Sequence, residues 1–208
     1  EDWTFISLTK FLDNKSLTLE TNVLVIASSL HLAKIKAPEV KKYSFDDWKC
    51  KIVKLIKNSK ISRLIYISSA AVYGLQSNPS HLFEELDVLN GKSEYAFEKI
   101  RLEKIINSTC KDLGIKLYIL RPSGFFGHYA MSGTAHSFLD TLAKAIHLKE
   151  DREFIIEHNG EQIRDYLYID DVIDIMNSLY NLNRPFIIIN GGSGEKYTIN
   201  QVVRMIRD

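Results

Sequence analysis

Ser69, Tyr95 and Lys99 are the residues of this chain whose types and spacing can do chemistry: a hydroxyl, a phenol twenty-six residues later, and an ammonium four residues after that. They can converge on one point if Ser69 ends a strand and the other two share a helix face, and that point would be a proton-transfer site. A phenol with its ordinary pKa of about 10 is a poor base at neutral pH. A nearby cation favours the phenolate and brings the group towards its working range, and Lys99 is placed to supply that cation. A bland reading of the same residues stays open at this point. Ten tyrosines and many lysines produce Tyr-x-x-x-Lys by chance, a helical pair of this kind packs a ring and solvates an amine, and a strand-end serine commonly satisfies backbone groups.

The elements that must position these residues are visible in the pattern. From Ser93 to Leu113 there is no proline or interior glycine, and Leu102, Ile105, Ile106, Thr109, Cys110 and Leu113 recur at helical spacing, which predicts an amphipathic helix with Tyr95 and Lys99 one turn apart on one face. Arg63-Leu64-Ile65-Tyr66-Ile67 is a short apolar, β-branched run ahead of Ser68-Ser69 and reads as a buried parallel strand, so Ser69 falls at a carboxyl end, where open α/β sheets hold their ligands. Further β-type runs at 23 to 27, 117 to 120 and 186 to 190 alternate with helical patterns at about 45 to 58, 136 to 148 and 171 to 182. That alternation predicts a doubly wound α/β fold, a parallel sheet with helices on both faces. Thr198-Ile199-Asn200-Gln201 fits a capping box that opens one more helix.

Ser69-Ala70-Ala71-Val72-Tyr73-Gly74 followed by Tyr95-x-x-x-Lys99 resembles the extended short-chain dehydrogenase/reductase family, in its NAD-dependent nucleotide-sugar epimerase/dehydratase branch. Three later segments fit that branch in the same order: Leu120-Arg121-Pro122-Ser123-Gly124-Phe125-Phe126-Gly127, then Gln162 to Val172 with Arg164-Asp165-Tyr166 at its centre, then Ile189-Asn190-Gly191-Gly192-Ser193-Gly194 with Tyr197-Thr198-Ile199. The resemblance implies a Rossmann-like sheet with a small substrate-binding subdomain. It divides the chain into a partial dinucleotide-binding domain at 1–127 and a mainly substrate-binding part at 128–208, whose strand 186–190 returns to the sheet.

It also implies roles. Tyr95 would be the general acid/base, Ser69 its hydroxyl partner against the substrate oxygen, and Lys99 the cation that also meets the nicotinamide ribose. Ala27, Ser28 and Ser29 end the strand beside which the dinucleotide passes, Ser68 is a backbone neighbour or a nicotinamide contact, and Pro122 flanks the nicotinamide. On the substrate side stand Gly124, where many relatives have asparagine, and Arg164, whose planar guanidinium suits a pyrophosphate; the alternative for Arg164 is an ion pair with Asp165 or Asp171, both read as structural. Gly192 and Gly194 offer positive φ to their loop, and His128 and His136 flank a stretch that could face the sugar. Ala70-Ala71 stands where 4,6-dehydratases carry Asp-Glu, and loss of that acid disfavours dehydration.

Composition limits the other possibilities. The formal net charge of +1, with no long Lys/Arg block, gives no reason to expect nucleic acid or an anionic membrane, and no apolar run approaches the ~18 residues of a membrane span. Cys50 and Cys110, far apart on predicted helices, read as buried thiols in a reducing cytoplasm. Scattered histidines and cysteines offer no metal-ligand spacing. Residues 1–90 contain one glycine, Gly74, so the glycine-rich turn and the acidic ribose reader of a dinucleotide fold are missing. Val23 to Ser29 looks like the family's fourth strand, and the chain stops within a helix at Arg207-Asp208. These ends read as those of a fragment of a longer protein, with a divergent member that holds its dinucleotide abnormally as the alternative.

The expected function is an NAD-dependent epimerase acting at C4 of a UDP-hexose, with NADP open because the ribose reader is absent and a homodimer left open. An NADPH-dependent sugar-nucleotide reductase and a non-catalytic dinucleotide-sensing or scaffold relative are the alternatives.

Overall fold

The computed structural model describes residues 4, 6–14, 18–30, 38–75, 81–127, 138–147 and 156–207. His128, His136, Phe154 and Ile155 lie outside them. In chain order the elements are α1 (Leu8–Asp13), β1 (Val23–Ile26), α2 (Phe45–Asn58), β2 (Arg63–Ile67), α3 (Glu94–Leu113), β3 (Lys116–Pro122), β4 (Gly124–Phe126), α4 (Phe138–His147), β5 (Ile163–Arg164), β6 (Tyr166–Tyr168), α5 (Ile169–Asn181), β7 (Phe186–Gly191), β8 (Tyr197–Thr198) and α6 (Ile199–Arg207).

Each helix that carries the argument starts where side-chain chemistry tells it to. Ser44 and Asp47 cap α2 reciprocally, each side chain taking the other residue's amide. Ser93 caps α3 by accepting from the Ala96 amide at 3.1 Å. The capping box expected at Thr198 is present: Thr198 Oγ1 accepts from the Gln201 amide at 3.1 Å, and the Gln201 side chain accepts from the Thr198 amide at 2.7 Å.

The main sheet has the order β1-β2-β3-β7. β1 pairs with β2 and β2 with β3 in parallel register, Leu64 opposite Leu24 on one side and Leu117 on the other. Bonds from Leu117 N to Pro185 O and from Ser123 N to Gly191 O carry the same offset, so β3 and β7 run parallel too. The continuous burial of Leu64 to Ile67 and of Leu117 to Pro122 is what parallel strands covered on both faces require. Leu24, Ile26, Leu64, Tyr66, Leu117 and Ile119 point to one face and pack on Trp48, Ile52 and Ile56 of α2 and on Leu102, Ile106 and Cys110 of α3. Phe11 of α1 meets Trp48 edge to face with ring centres 5.5 Å apart.

Three sequence expectations are corrected here. Leu113 of the α3 stripe is exposed, at the last helical position before Gly114 caps the helix. Cys110 is buried and free as expected, but Cys50 is exposed on α2, on the side of the helix opposite Trp48 and Ile52. α3 also buries Glu98, Lys99 and Glu103, charges that an apolar stripe does not foresee.

The chain divides into two compact units: residues 1–121 with 179–189, and residues 122–178 with 190–208. In the second, β4 pairs with β6 in parallel, and β5 with β8 antiparallel. Asp165, between β5 and β6, accepts from the amides of Ser193 and Gly194 and from the Ser193 hydroxyl at 3.0, 3.2 and 2.8 Å. It thereby fixes the 192–194 loop. A β-carbon on Gly192 would stand 2.4 Å from Asp165 Oδ2, so this glycine is needed for close approach and not for positive φ, which belongs to Gly194 at 79°. Gly192→Ala is accordingly expected to lower unfolding stability by about 1–3 kcal/mol, read as a fall in the urea midpoint; an unchanged midpoint would mean that the loop shifts freely.

Candidate active site

β2 ends at Ile67, and the chain turns at Ser68-Ser69 into the 3-10 turn Ala70–Tyr73. Ser69 is extended, at φ −168°, and its Oγ accepts from the Ala71 amide at 3.1 Å. Gly74 closes the turn at φ 82°; there a β-carbon would lie 2.5 Å from the Asn90 carbonyl oxygen, so only glycine brings the turn back under the loop. Since Ser69 Oγ already accepts a backbone N–H, its own proton is left for an oxygen on its other side, where it lies near enough to the Tyr95 phenol to hold that phenol's pKa down. The backbone duty and the phenol contact expected of Ser69 are thus compatible in one hydroxyl.

Lys99 lies one turn beyond Tyr95 on α3 and is 2% exposed. Its Nζ donates to the Ile67 carbonyl at 2.7 Å and to the Ser28 carbonyl at 3.4 Å, at the ends of β2 and β1. The ammonium sits 5.0 Å from the Tyr66 ring centre and 5.7 Å from that of Tyr95, within cation–π range of both. The Tyr66 hydroxyl, also buried, has no hydrogen-bond partner among the described residues.

Burial dominates the Tyr95 phenol and raises its pKa above the ordinary 10; Ser69 opposes the rise and Glu98 adds to it. Burial also brings Lys99 itself from 10.5 down to about 8, against the pull of Glu98 and Glu103. Between pH 8 and 10.5 the folded chain therefore binds fewer protons at this site than the unfolded chain, so this group makes stability rise with pH across that window. The penalty is fully present below pH 8 and amounts to at most ~3 kcal/mol. Lys99→Met is expected to flatten that rise, measured as the difference between unfolding free energies at pH 7 and pH 10; equal differences in both proteins would contradict the assignment.

Behind the turn lies a buried network. Arg121 grips Glu103 with two parallel bonds, Nε to Oε1 at 3.0 Å and an η-nitrogen to Oε2 at 2.7 Å; its other η-nitrogen donates to the Tyr73 hydroxyl at 2.7 Å and the Glu85 carbonyl at 3.0 Å. Ser68 gives its hydroxyl to Glu103. Glu103 and Arg121 were passed over in the sequence, although an arginine inside an apolar strand run is itself a signal, since such a charge is buried only with a partner.

The other candidates are placed as follows. Ala27 is exposed at the end of β1, and Ser29 is buried beside it. Pro122 closes β3. Pro122, Gly124 and Arg164 belong to the second unit. There Gly124 pairs with Tyr166, whose ring a β-carbon on Gly124 would approach to 3.2 Å, so no larger residue fits without moving that ring. Arg164 is exposed and donates to the Ile163 carbonyl at 3.0 Å. Among the described residues it makes no ion pair with Asp165 or Asp171, and none of their His, Cys, Asp and Glu side chains form a group able to hold a metal ion. No helix of the described residues is long and apolar enough to cross a membrane.

The NAD dependent epimerase/dehydratase family matches residues 23–189 of the sequence. The chain belongs to that family. It is 28% identical over 156 residues to the UDP-glucuronate 4-epimerase of Thermodesulfobacterium geofontis (strain OPF15), covering 74% of this chain and 46% of that protein. It is also 28% identical over 149 residues to the dTDP-4-dehydro-6-deoxyglucose reductase of Escherichia coli, covering 69% and 44%. The UDP-glucuronic acid 4-epimerase from Bacillus cereus, solved in complex with UDP-glucuronic acid and NAD, shares the fold with a TM-score of 0.68 at 23% identity, over 86% of this chain and 55% of that one. The chain therefore spans less than half the length of these two curated relatives.

The residues of this family member fit one end of a dinucleotide. Ser69 and Lys99 stand at the carboxyl end of β2, with Tyr95 one turn before Lys99 on α3, and open α/β sheets hold their ligands at such strand ends. A diphosphate cradle is not among them, for no glycine-rich turn precedes β1.

Proposed function

We propose that this chain carries the catalytic groups of an NAD-dependent nucleotide-sugar epimerase that works at C4 of a UDP-hexose. The observation that supports it most is the buried Lys99 ammonium 5.7 Å from the Tyr95 ring centre and anchored on the carbonyl that ends β2, two residues before Ser69. NAD, when bound, supplies the reversible hydride acceptor of the reaction. Tyr95 and Lys99 would hold its nicotinamide ribose, with Ala27, Ser28, Ser29, Ser68 and Pro122 as neighbours on the cofactor side.

The chain's own groups handle the proton and the orientation. Tyr95, once its own proton has passed to solvent, takes the proton of the sugar 4-hydroxyl as phenolate and returns it after the 4-keto sugar has turned over. Ser69, anchored by the Ala71 amide, bridges the phenol and that oxygen, so the proton moves along a preset line. Lys99 compensates the negative charge that collects on the phenol as it gives up its proton. In the second unit, Arg164, exposed and unpaired with its neighbouring aspartates, has its guanidinium available for the diphosphate of the sugar nucleotide, and Gly124 lets the Tyr166 ring lie close against its backbone. Ala70 and Ala71 hold the first two places of the 3-10 turn, where a dehydratase needs its acid, and this favours epimerisation over dehydration.

The test is to incubate the complete protein with NAD and UDP-glucose, UDP-galactose or UDP-glucuronate and to follow the anomeric and H4 proton resonances. Interconversion at C4 without net change in NAD is expected. Net consumption of NADPH with a 4-keto sugar would replace the reading by a reductase, the activity carried by the Escherichia coli relative's name, and failure to bind either dinucleotide would leave a scaffold.

A further inference from the structure

Glu98 is a buried charge for which the proposed reaction has no use. It is 6% exposed on α3, next to Lys99, which is 2% exposed. Acidic side chains are almost never buried to this degree without a dedicated partner. A carboxylate oxygen of Glu98 accepts from the Leu30 amide at 2.9 Å, across 68 residues of sequence. Lys99 meanwhile donates to the Ser28 carbonyl and to the Ile67 carbonyl. Two consecutive residues of one helix, with opposite charges, thus take backbone groups of opposite polarity two residues apart. The residue between those groups, Ser29, is itself buried, and Leu30 is part of the core.

We infer that Glu98 is a positioning residue: with Lys99 it clamps the Ser28–Leu30 segment, where the chain leaves β1, against α3, and so fixes the backbone that faces the cofactor. The last clause rests on the function proposed above; the clamp itself does not. The carboxylate accepts from an uncharged amide and also pulls on Lys99, so two substitutions divide acceptor from charge. Glutamine keeps an acceptor oxygen of the same reach, whereas alanine removes it.

The experiment measures two things in the complete protein and in its Glu98→Gln and Glu98→Ala variants: amide hydrogen exchange and NAD affinity by calorimetry. Exchange at Leu30 relative to Tyr118 in the central strand is expected to accelerate on the order of tenfold to a hundredfold in Glu98→Ala, as a buried charge-assisted bond is lost, and by less than that in Glu98→Gln. NAD is expected to bind about tenfold more weakly to Glu98→Ala, with Glu98→Gln in between. Unchanged exchange at Leu30, or equal acceleration at Leu30 and Tyr118, overturns the clamp. A Leu30-specific acceleration with unaltered NAD affinity overturns the link to the cofactor. Absence of NAD binding by the wild-type protein overturns the proposed function and that link together, while the clamp is still decided by Leu30.

Discussion

Tyr95→Phe is expected to lower the rate of C4 interconversion by a factor of roughly 10²–10⁴, the usual contribution of a positioned general acid/base, while the protein stays folded. The substitution removes one oxygen and leaves the ring, so its contact with the Lys99 ammonium survives; what vanishes is the phenol's proton-carrying oxygen. Ser69 keeps its bond from the Ala71 amide, and the turn should stay in place. The unfolding midpoint is therefore expected to move little, since a phenol that burial already disfavours as an anion gains nothing for stability from its charge. A rate loss accompanied by an equal loss of soluble protein would show packing, and a rate within a few-fold of wild type would move the proton transfer to another group. Ser69→Ala, by contrast, also removes the cap of the 3-10 turn. Its rate effect would mix chemistry with geometry, and Tyr95 is the cleaner probe for that reason.

The parts of this site that could be read in the sequence are those set by local spacing. Tyr95 and Lys99 share a face because a helix repeats every 3.6 residues, and α3 forms from Glu94 to Leu113 as its pattern required. β2 ends at Ile67 because its apolar run ends there, and that alone places Ser69. What could not be read is pairing across the chain. Glu98 finds Leu30 across 68 residues, and Tyr73 finds Arg121 across 48; no periodicity encodes such meetings. The same blindness hides what sets the phenol's pKa. Spacing puts an ammonium near Tyr95, but only the fold shows how deeply the ring is buried. Gly192 was read as a conformational glycine because its loop neighbours invite it, yet the constraint comes from Asp165, twenty-seven residues earlier.

Those pairings across the chain also carry the second large effect, at Arg121. Removing one partner of a buried ion pair leaves the other as an uncompensated charge, which costs about 3–5 kcal/mol, a large part of the ~5–15 kcal/mol that holds a domain together. Arg121 is 3% exposed and gives its protons to Glu103, Tyr73 and the Glu85 carbonyl. Arg121→Met would therefore strand a carboxylate whose remaining support in this network is the Ser68 hydroxyl, and would deprive Tyr73, in the turn that Ser69 caps, of its donor. The expected result is a fall of that size in the free energy of urea unfolding. The double variant Arg121→Met with Glu103→Leu should recover much of it, because well-packed apolar residues often replace a buried pair without net cost. If the single variant costs less than about 1 kcal/mol, the stranded carboxylate must either be reached by water or take up a proton. Recovery in the double variant would still leave Ser68 without its acceptor, so turnover measured there separates the two duties of the pair. A double variant that is stable yet slow assigns the Arg121–Glu103 pair to holding the Ser68-Ser69 bend in line with the phenol, and one that is stable and fast assigns it to the core alone.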